Sequence, residues 1–206
     1  DQDTAQRFIE LGVSTETVQV TGSLKFDLSI APDLPQRALA LKQEWHLESR
    51  PIWVVASTHE GEDAIVLEAF TYIKKQFNEA LLILVPRHPE RFDSVAQLIA
   101  KQGFGMARRS QQQAVTPNVE VFLADSMGEL LLWLAVADVA FVGGSFVDVG
   151  GHNPLEPAAL AVPIVTGQIM FNFKQITDVL VQAGALKQAN SSHELAHIVC
   201  EWLQNA

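Results

Sequence analysis

Short apolar runs alternate with longer segments of helical periodicity along nearly the whole chain of 206 residues. The runs at 52–56 and 81–85 are continuously apolar, as in strands buried on both faces, whereas 62–77 repeats apolar residues at amphipathic-helix spacing. This alternation is typical of a parallel sheet covered by helices on both faces. We expect an α/β, Rossmann-like domain of three layers with about six parallel strands. The other predicted strands are 18–20, 119–123, 139–142 and 163–166; the other predicted helices are 94–101, 128–137, 174–182, 192–203 and one beginning at 37–42.

Composition narrows the classes of function. With 48% hydrophobic and 18% charged residues, the chain can bury a core of its own. A formal net charge of -10 argues against broad attraction to nucleic acid or anionic lipid, so an anionic ligand has to be held locally. The single cysteine, Cys200, excludes an internal disulfide and suits a reducing compartment.

No apolar run reaches the length of a membrane span, and the first residues lack the pattern of a signal peptide. The chain has no initiator Met, so we interpret it as a fragment of a longer protein. A targeting or anchoring segment could then lie upstream. The fragment itself is expected to be soluble.

Four polar segments directly follow predicted strands. They span 57–62, 86–91, 124–129 and 143–157, while the connections at the opposite ends of the strands are short and plain. Ligands of open α/β sheets bind beyond the carboxyl ends of the strands. The sequence therefore predicts a ligand site at this edge.

The segment 143–157 is the richest of the four, with four glycines between an apolar strand and an apolar helix. Asn153 suits a helix cap and Pro154 a first helical position, so free N–H groups and a partial positive charge could hold phosphate or carboxylate. The simpler interpretation is a glycine-rich turn with a capped helix. Glu156 either completes a capping box with Asn153 or accepts hydrogen bonds from ribose hydroxyls, and His152 either donates to an oxyanion or holds the loop.

The other loops carry similar alternatives. Ser57 and Thr58 could bind an anion with their hydroxyls or merely cap a helix. Arg87 and Arg91 could hold phosphate in paired fashion or form surface salt bridges with Glu90 and Asp93; Arg87 is the preferred anion contact.

The third loop brings Asp125, Met127 and Glu129 to where the base of a nucleotide could lie, although Glu129 could simply favour the start of a helix. The histidines lack the spacing of a zinc site. The chain also lacks G-x-G-x-x-G, G-x-x-x-x-G-K-[ST] and G-x-S-x-G, which argues against a dinucleotide fold, a phosphate-loop NTPase and a hydrolase of the nucleophile-elbow type.

Five ordered segments resemble the Kdo transferases of Gram-negative bacteria. They are Thr21-Gly22-Ser23-Leu24-Lys25-Phe26-Asp27, 56–62, 86–91, 143–157 and Phe171-Asn172-Phe173. These enzymes transfer 3-deoxy-D-manno-oct-2-ulosonic acid (Kdo) from CMP-Kdo to lipid A precursors in lipopolysaccharide synthesis. The resemblance runs across essentially all 206 residues but covers only the C-terminal half of the family's sequence.

The resemblance implies the C-terminal half of a GT-B glycosyltransferase. Residues 1–24 would be the interdomain connection and the start of the domain, and 25–206 the CMP-Kdo binding domain. The N-terminal acceptor domain, with the catalytic glutamate, would be absent, so no catalytic residue is expected in this chain and the isolated domain is expected to be inactive. The implied donor-binding residues are Ser57, Thr58, His59, Pro86, Arg87, His88, Met127, Gly144, Ser145, His152, Asn153, Leu155 and Glu156.

Roles follow from the same resemblance. Arg87 and the backbone of Gly144 and Ser145 would hold phosphate, Asn153 and Glu156 would reach phosphate or ribose, and the Met127 loop would lie near cytosine. One departure from many relatives is Phe146-Val147-Asp148 in place of Leu-Val-Pro, which frees the backbone and adds a negative charge beside the proposed anion site.

The expected partners are CMP-Kdo or CMP, a lipid A precursor through the missing N-terminal domain, and no nucleic acid. No metal or cofactor is expected, since the loops offer Arg and helix N–H groups but no Asp-x-Asp pair. Membrane contact is expected only through the missing half, at the cytoplasmic face of the inner membrane. The alternatives are a nucleotide-sugar epimerase domain of the same architecture and a non-catalytic module that senses nucleotides.

Overall fold

The computed structural model describes residues 2–22 and 28–205. Within them the chain forms a sheet of seven strands in the order β3-β4-β2-β1-β5-β6-β7, and all six neighbouring pairs are parallel. The strands are β1 (Ile52–Thr58), β2 (Leu81–Pro86), β3 (Met106–Arg108), β4 (Val121–Leu123), β5 (Val139–Val142), β6 (Ile164–Thr166) and β7 (Leu186–Gln188). The predicted parallel α/β sheet is confirmed.

The eight α-helices of the described residues connect and cover these strands. They are α1 (Gln2–Glu10), α2 (Leu34–Glu44), α3 (Glu62–Gln76), α4 (Phe92–Lys101), α5 (Leu130–Ala135), α6 (Leu155–Ala159), α7 (Lys174–Gln182) and α8 (Ser192–Leu203). Short 3-10 turns occur at Thr15–Thr17, Pro89–Arg91 and Phe171–Phe173. Within the described part of the chain, none of the helices combines the length and apolar character that crossing a bilayer requires.

Side chains of alternating direction on the central strands divide the core into two layers. Trp53 and Val55 of β1 pack with Phe70 of α3 on one face of the sheet, and Val54 packs with Trp133 of α5 on the other. All five side chains are at most 1% exposed, and burial of a large apolar side chain contributes roughly 1.5–3 kcal/mol. The three-layer prediction is therefore confirmed.

The differences from the predicted elements lie at the margins. The segment 18–20 is not a strand, and the sequence analysis missed β3 and β7, which form the two edges of the sheet. Both edge strands are three residues long and only partly buried, so they lack the continuous apolar pattern of the central strands. Residues 23–27 of the first family-like segment lie outside the described residues, and the division of the chain at residue 24 stays a prediction.

The order of the strands fixes where a ligand can bind. Strand β1 lies at the centre between β2 and β5, and the chain crosses from one side of β1 to the other between β4 and β5. The loops after β1 and β5 consequently leave the sheet in opposite directions and open a crevice between them. The loops 57–62 and 143–157, which both belong to the segments that carry the family resemblance, border this crevice.

Candidate functional site

The end of β1 is reshaped by a bulge at Ser57. The register between β1 and β2 shifts between Ala56 and Thr58, and Ser57 has a left-handed backbone with φ of 59°. Such a conformation costs a non-glycine residue of order 1 kcal/mol, and it turns the next residue inward. Thr58 is completely buried and donates its hydroxyl to Asp63 at 2.6 Å, so its side chain stabilises the fold and does not face a ligand.

The N–H groups that follow β5 are held by a buried carboxylate. The Glu62 Oε1 atom accepts hydrogen bonds from Ser145 N and Phe146 N, each at 3.0 Å. Its Oε2 atom accepts from Gly144 N at 2.7 Å and from His59 N at 2.9 Å. Both N–H groups of Gly144 and Ser145 thus already have an anionic partner within the protein, and the expectation that they hold phosphate stays a prediction.

The glycines of the β5 loop are required by close packing within the protein. A Cβ atom on Gly143 would lie 2.5 Å from the Ser57 carbonyl oxygen, and one on Gly150 would overlap the Phe171 ring. Ser145 is also committed, since its hydroxyl donates to the Val142 carbonyl and accepts from Gly167 N. This loop is thus a closely packed turn, and its glycines are explained by contacts within the protein without any ligand.

Three histidines from three different loops meet above the crevice. The Nε2 atoms of His59 and His152 lie 2.7 Å apart, with their rings stacked at a centroid distance of 5.0 Å. The ring of His88 lies edge-on to His59 at 5.1 Å. One Nε2 of the pair carries a proton and donates it to the other, so the two rings cannot both be imidazolium in this arrangement.

Electrostatics keep the histidine pair neutral near pH 7. The pKa of His152 is lowered to about 4, chiefly by burial and in addition by the neighbouring His59, Arg87 and His88. Burial also lowers the pKa of His59, although the Glu62 carboxylate opposes that shift. An anionic group placed beside the pair would favour protonation of one ring.

The two arginines of the β2 loop have different roles. Arg91 donates to the Thr58 carbonyl at 2.7 Å and pairs with the buried Asp63 carboxylate, so it ties the loop to β1 and α3. Arg87 is exposed, and its guanidinium group has no hydrogen bond or ion pair to any described residue, although its backbone N–H donates to the Thr58 carbonyl at 3.0 Å. The alternative of surface salt bridges with Glu90 and Asp93 is not realised among the described residues: Asp93 pairs with Arg108 at 2.8 Å, and Glu90 lies 3.9 Å from His88.

A second group without a partner faces Arg87 from the start of α6. Burial raises the pKa of the Glu156 carboxyl, and the charge of Arg87 opposes that shift without an ion pair between them. The Glu156 carboxylate makes no hydrogen bond to any of the described residues, so the capping-box alternative is not realised. Asn153 instead accepts from Leu155 N at 3.1 Å and holds the start of α6.

The loop after β4 is a contrasting cluster of paired charges. Asp125 is buried and accepts from Arg108 Nε at 2.7 Å and from both the backbone and the hydroxyl of Ser110. Glu129 pairs with Arg109 at 2.7 Å. Only Met127, which is 58% exposed, is left available for a ligand. We call Arg108, Arg109, Asp125 and Glu129 the flanking cluster.

Asp148, the unusual residue of the β5 loop, lies on an exposed turn. Among the described residues it has no hydrogen-bond or ion-pair partner, so its charge is solvated and screened. The described residues also contain no group of three or more His, Cys, Asp and Glu arranged to hold a metal ion.

Comparisons with known proteins place this site in a family. No family model matches the chain. The 3-deoxy-D-manno-octulosonic acid transferase of Haemophilus influenzae is 42% identical over 206 residues, which is all of this chain and 48% of that protein. The enzyme of the same name from Bordetella pertussis is 39% identical over 92% of this chain and 44% of its own length.

A solved structure decides the assignment. The crystal structure of the C-terminal CMP-Kdo binding domain of WaaA from Acinetobacter baumannii is 39% identical, with a TM-score of 0.81 over 85% of this chain and 91% of that domain. The chain belongs to the 3-deoxy-D-manno-octulosonic acid transferase family. It spans about half the length of the curated relatives that it matches. The resemblance inferred from the five segments is confirmed.

Within this family's fold, the predicted site residues separate into two groups. One group meets at the crevice with side chains free to contact a ligand; we call it the crevice cluster, and it consists of Ser57, His59, Arg87, His88, His152 and Glu156. The other group has its polar atoms committed to the fold or is largely buried, and consists of Thr58, Pro86, Gly144, Ser145, Asn153 and Leu155. Met127 lies apart from both on its exposed loop.

Sequence reasoning missed the contacts by which three residues hold these loops together. Glu62, Asp63 and Arg91 stand within or beside the segments that it singled out, yet their partners could not be foreseen. The available signal was the pair of acidic residues directly after a polar loop at the start of a helix. That signal is equally typical of a solvent-exposed first helical turn.

Proposed function

We propose that this chain binds CMP-Kdo as the donor half of a glycosyltransferase that adds Kdo to a lipid A precursor in lipopolysaccharide synthesis. The observation that carries the proposal is the pair of unpartnered, oppositely charged groups, Arg87 and Glu156, beside the neutral His59–His152 pair. A nucleotide offers an anionic phosphate that can pair with Arg87 and ribose hydroxyls that can donate to Glu156.

Arg87 binds the phosphate. Its guanidinium group is exposed at the carboxyl end of β2, has no partner among the described residues and carries donors in the fork geometry that matches phosphate oxygens. His152 and His59 lie on the other side and supply a proton to the same anion. CMP gains charge on its phosphate as the bond to Kdo breaks, so donors fixed at this position stabilise the transition state.

Glu156 accepts hydrogen bonds from the ribose hydroxyls. A carboxylate is an acceptor at every lone pair, and the hydroxyls of a ribose supply donors that no described residue supplies to Glu156. The hydroxyl of Ser57 is likewise without a partner among the described residues and borders the same crevice. The exposed Met127 packs against the cytosine ring from the adjacent loop.

The remaining steps of the reaction belong to a part of the protein outside this chain. The general base, the acceptor site and the contact with the cytoplasmic face of the inner membrane are all assigned to that part. The donor site itself works without a metal ion, because Arg87 supplies positive charge at phosphate and the histidines supply an N–H donor.

Calorimetric titration of the chain with CMP, UMP, UDP and NAD in the presence of EDTA tests the proposal. We expect CMP to bind most tightly and EDTA to leave its affinity unchanged. Preference for UDP would favour an epimerase, and failure of every cytidine nucleotide to bind would overturn the donor assignment. Strict dependence on added magnesium would overturn the metal-free mechanism. The chain alone is expected to transfer no Kdo, and turnover by it would refute the assignment of the base to another part.

A further inference from the structure

The loops after β1 and β5 are joined through a single buried carboxylate. Glu62 is 0% exposed, and its two oxygens accept four backbone N–H groups from residues on both sides of the crevice. Oε1 serves two groups of the β5 loop, whereas Oε2 joins Gly144 of that loop to His59 of the β1 loop. No other side chain in the described ranges connects these two backbone segments.

We propose that Glu62 is a positioning residue that sets the distance across the crevice and so assembles the anion site. This inference rests on the proposed donor-binding function. His59 is held by its own N–H at Glu62, and His152 is held by its N–H at the Gly143 carbonyl, one residue before the Gly144 N–H that Glu62 binds. The bridge through the carboxylate therefore adds to the backbone hydrogen bond from Gly143 N to the Ala56 carbonyl, at 2.8 Å, in fixing the contact between the two imidazoles.

The same geometry excludes an alternative role for the β5 loop. Four convergent N–H groups around one anion resemble a phosphate-binding nest, and a bound phosphate could in principle replace the carboxylate. Glu62 is completely buried at the start of the fifteen-residue helix α3, whose apolar face is packed in the core, so withdrawal of the carboxylate would leave four backbone N–H groups without their acceptor. Glu62 therefore stays in place when ligand binds, and the anion is held by the side chains above it.

Replacement of Glu62 by Gln isolates the bridge, because it keeps the size of the side chain and converts one acceptor oxygen into a donor. Whichever oxygen is lost, two backbone N–H groups lose their acceptor. We expect the pKa of His152, followed by NMR in the absence of ligand, to rise from about 4 toward its ordinary value as the pair loosens. We expect the dissociation constant for CMP to rise about tenfold, a change typical of a buried donor left unpaired.

A matched control is Glu120→Gln, which removes another carboxylate that accepts a backbone N–H, that of Gly105 at 3.1 Å, at the opposite end of the sheet. It is expected to leave both readouts unchanged. A Glu62→Gln variant that unfolds at lower temperature but keeps the wild-type His152 titration and CMP affinity would overturn the proposal, since a merely structural residue behaves in that way.

The wild-type chain provides a test should Glu62→Gln fail to fold. Amide exchange of His59, Gly144, Ser145 and Phe146 is measured with and without saturating CMP. Unchanged protection supports a fixed carboxylate, and displacement of Glu62 by phosphate, seen as large shifts and altered protection of these four amides, would overturn it. If the wild type binds no CMP, the proposed function fails, while the ligand-free titration of His152 in the variant still decides whether Glu62 positions the pair.

Discussion

The flanking cluster and the crevice cluster lie at the same edge of the sheet and both contain arginine and acidic side chains, yet they differ in whether these charges are paired. In the flanking cluster Arg108 meets Asp125 and Arg109 meets Glu129. In the crevice cluster Arg87 and Glu156 lack partners among the described residues. The difference teaches that charged side chains without a partner in the fold indicate a ligand site, whereas the number of charged side chains at a sheet edge does not.

Asp125→Ala tests the flanking cluster and has the largest expected effect. Burial alone would raise the pKa of Asp125, but hydrogen bonds from Ser110 and Arg108 outweigh it and hold this pKa below its ordinary value. Because the variant removes a buried, paired carboxylate, we expect its free energy of unfolding to fall by about 3 kcal/mol. Urea denaturation at pH 7 measures this change. Because the pKa is lowered by folding, this contribution is present above the ordinary pKa and is lost as pH falls through the folded value.

The dissociation constant of the Asp125→Ala variant for CMP, measured well below its unfolding temperature, is expected to stay close to that of the wild type. A large loss of CMP affinity with unchanged stability would reverse the roles assigned to the two clusters. Glu201→Gln serves as the control, since it removes an exposed carboxylate whose partner is Lys187.

Arg87→Ala and Arg91→Ala sharpen the comparison within one loop. Arg87→Ala is expected to weaken CMP by about 2 kcal/mol, the scale of a hydrogen bond to a charged group, and to leave stability within about 0.5 kcal/mol. Arg91→Ala is expected to lower stability instead, because it leaves Asp63 buried without its cation. Calorimetry with CMP and with cytidine separates the effects, and equal losses for the two ligands would show that Arg87 does not touch phosphate.

The location of the site could be predicted from the sequence, but the pairing of its residues could not. Continuous apolar runs identified β1, β2 and β5, and the topological rule then placed their loops at one edge. The hydrogen bond between Glu62 and Gly144, by contrast, joins residues 82 positions apart, and no local pattern distinguishes Glu62 from an exposed helix-start carboxylate. The short edge strand β7 was missed for a related reason, because its pairing with β6 and not its composition makes it a strand.

Arg87 and Arg91 illustrate the same limit. Both follow one buried strand and both have the same side chain; the sequence favoured Arg87 as the anion contact but did not show what holds Arg91. The inward turn at Ser57 presents the Thr58 carbonyl to Arg91 and leaves Arg87 outside. Backbone geometry on a neighbouring strand thus decides which cation is free.

Glu156→Gln tests the anionic member of the crevice cluster. Burial raises the pKa of Glu156, which means that its ionised form is disfavoured in the folded chain. The variant is therefore expected to be more stable at pH 7, by at most about 1 kcal/mol because the side chain is partly exposed, and to bind CMP about tenfold more weakly. The pairing with ribose is checked with 2′,3′-dideoxy-CMP, which should bind the wild type and the variant alike. A variant that discriminates the two nucleotides as strongly as the wild type would contradict the ribose contact.

The histidine pair gives the smallest effect and the finest test of the comparison, because its expected response to pH has opposite signs with and without ligand. In the free chain the pKa of His152 is lowered to about 4, so the unfolded chain takes up this proton first and its contribution to stability declines as pH falls from about 6.5 to about 4. In the complex a phosphate favours the protonated ring, so affinity should rise as pH falls from 7 to 5, by about threefold if the phosphate raises this pKa by about 1.4.

The probe for this test is the methyl ester of CMP, whose phosphodiester keeps one charge over that range, as the donor's does. His152→Gln is expected to abolish the dependence of affinity on pH, while a change in the flanking cluster leaves it intact. An affinity that is flat with pH in the wild type, or that changes equally in His152→Gln, would show that the neutral pair is a packing contact and that Arg87 alone holds the anion.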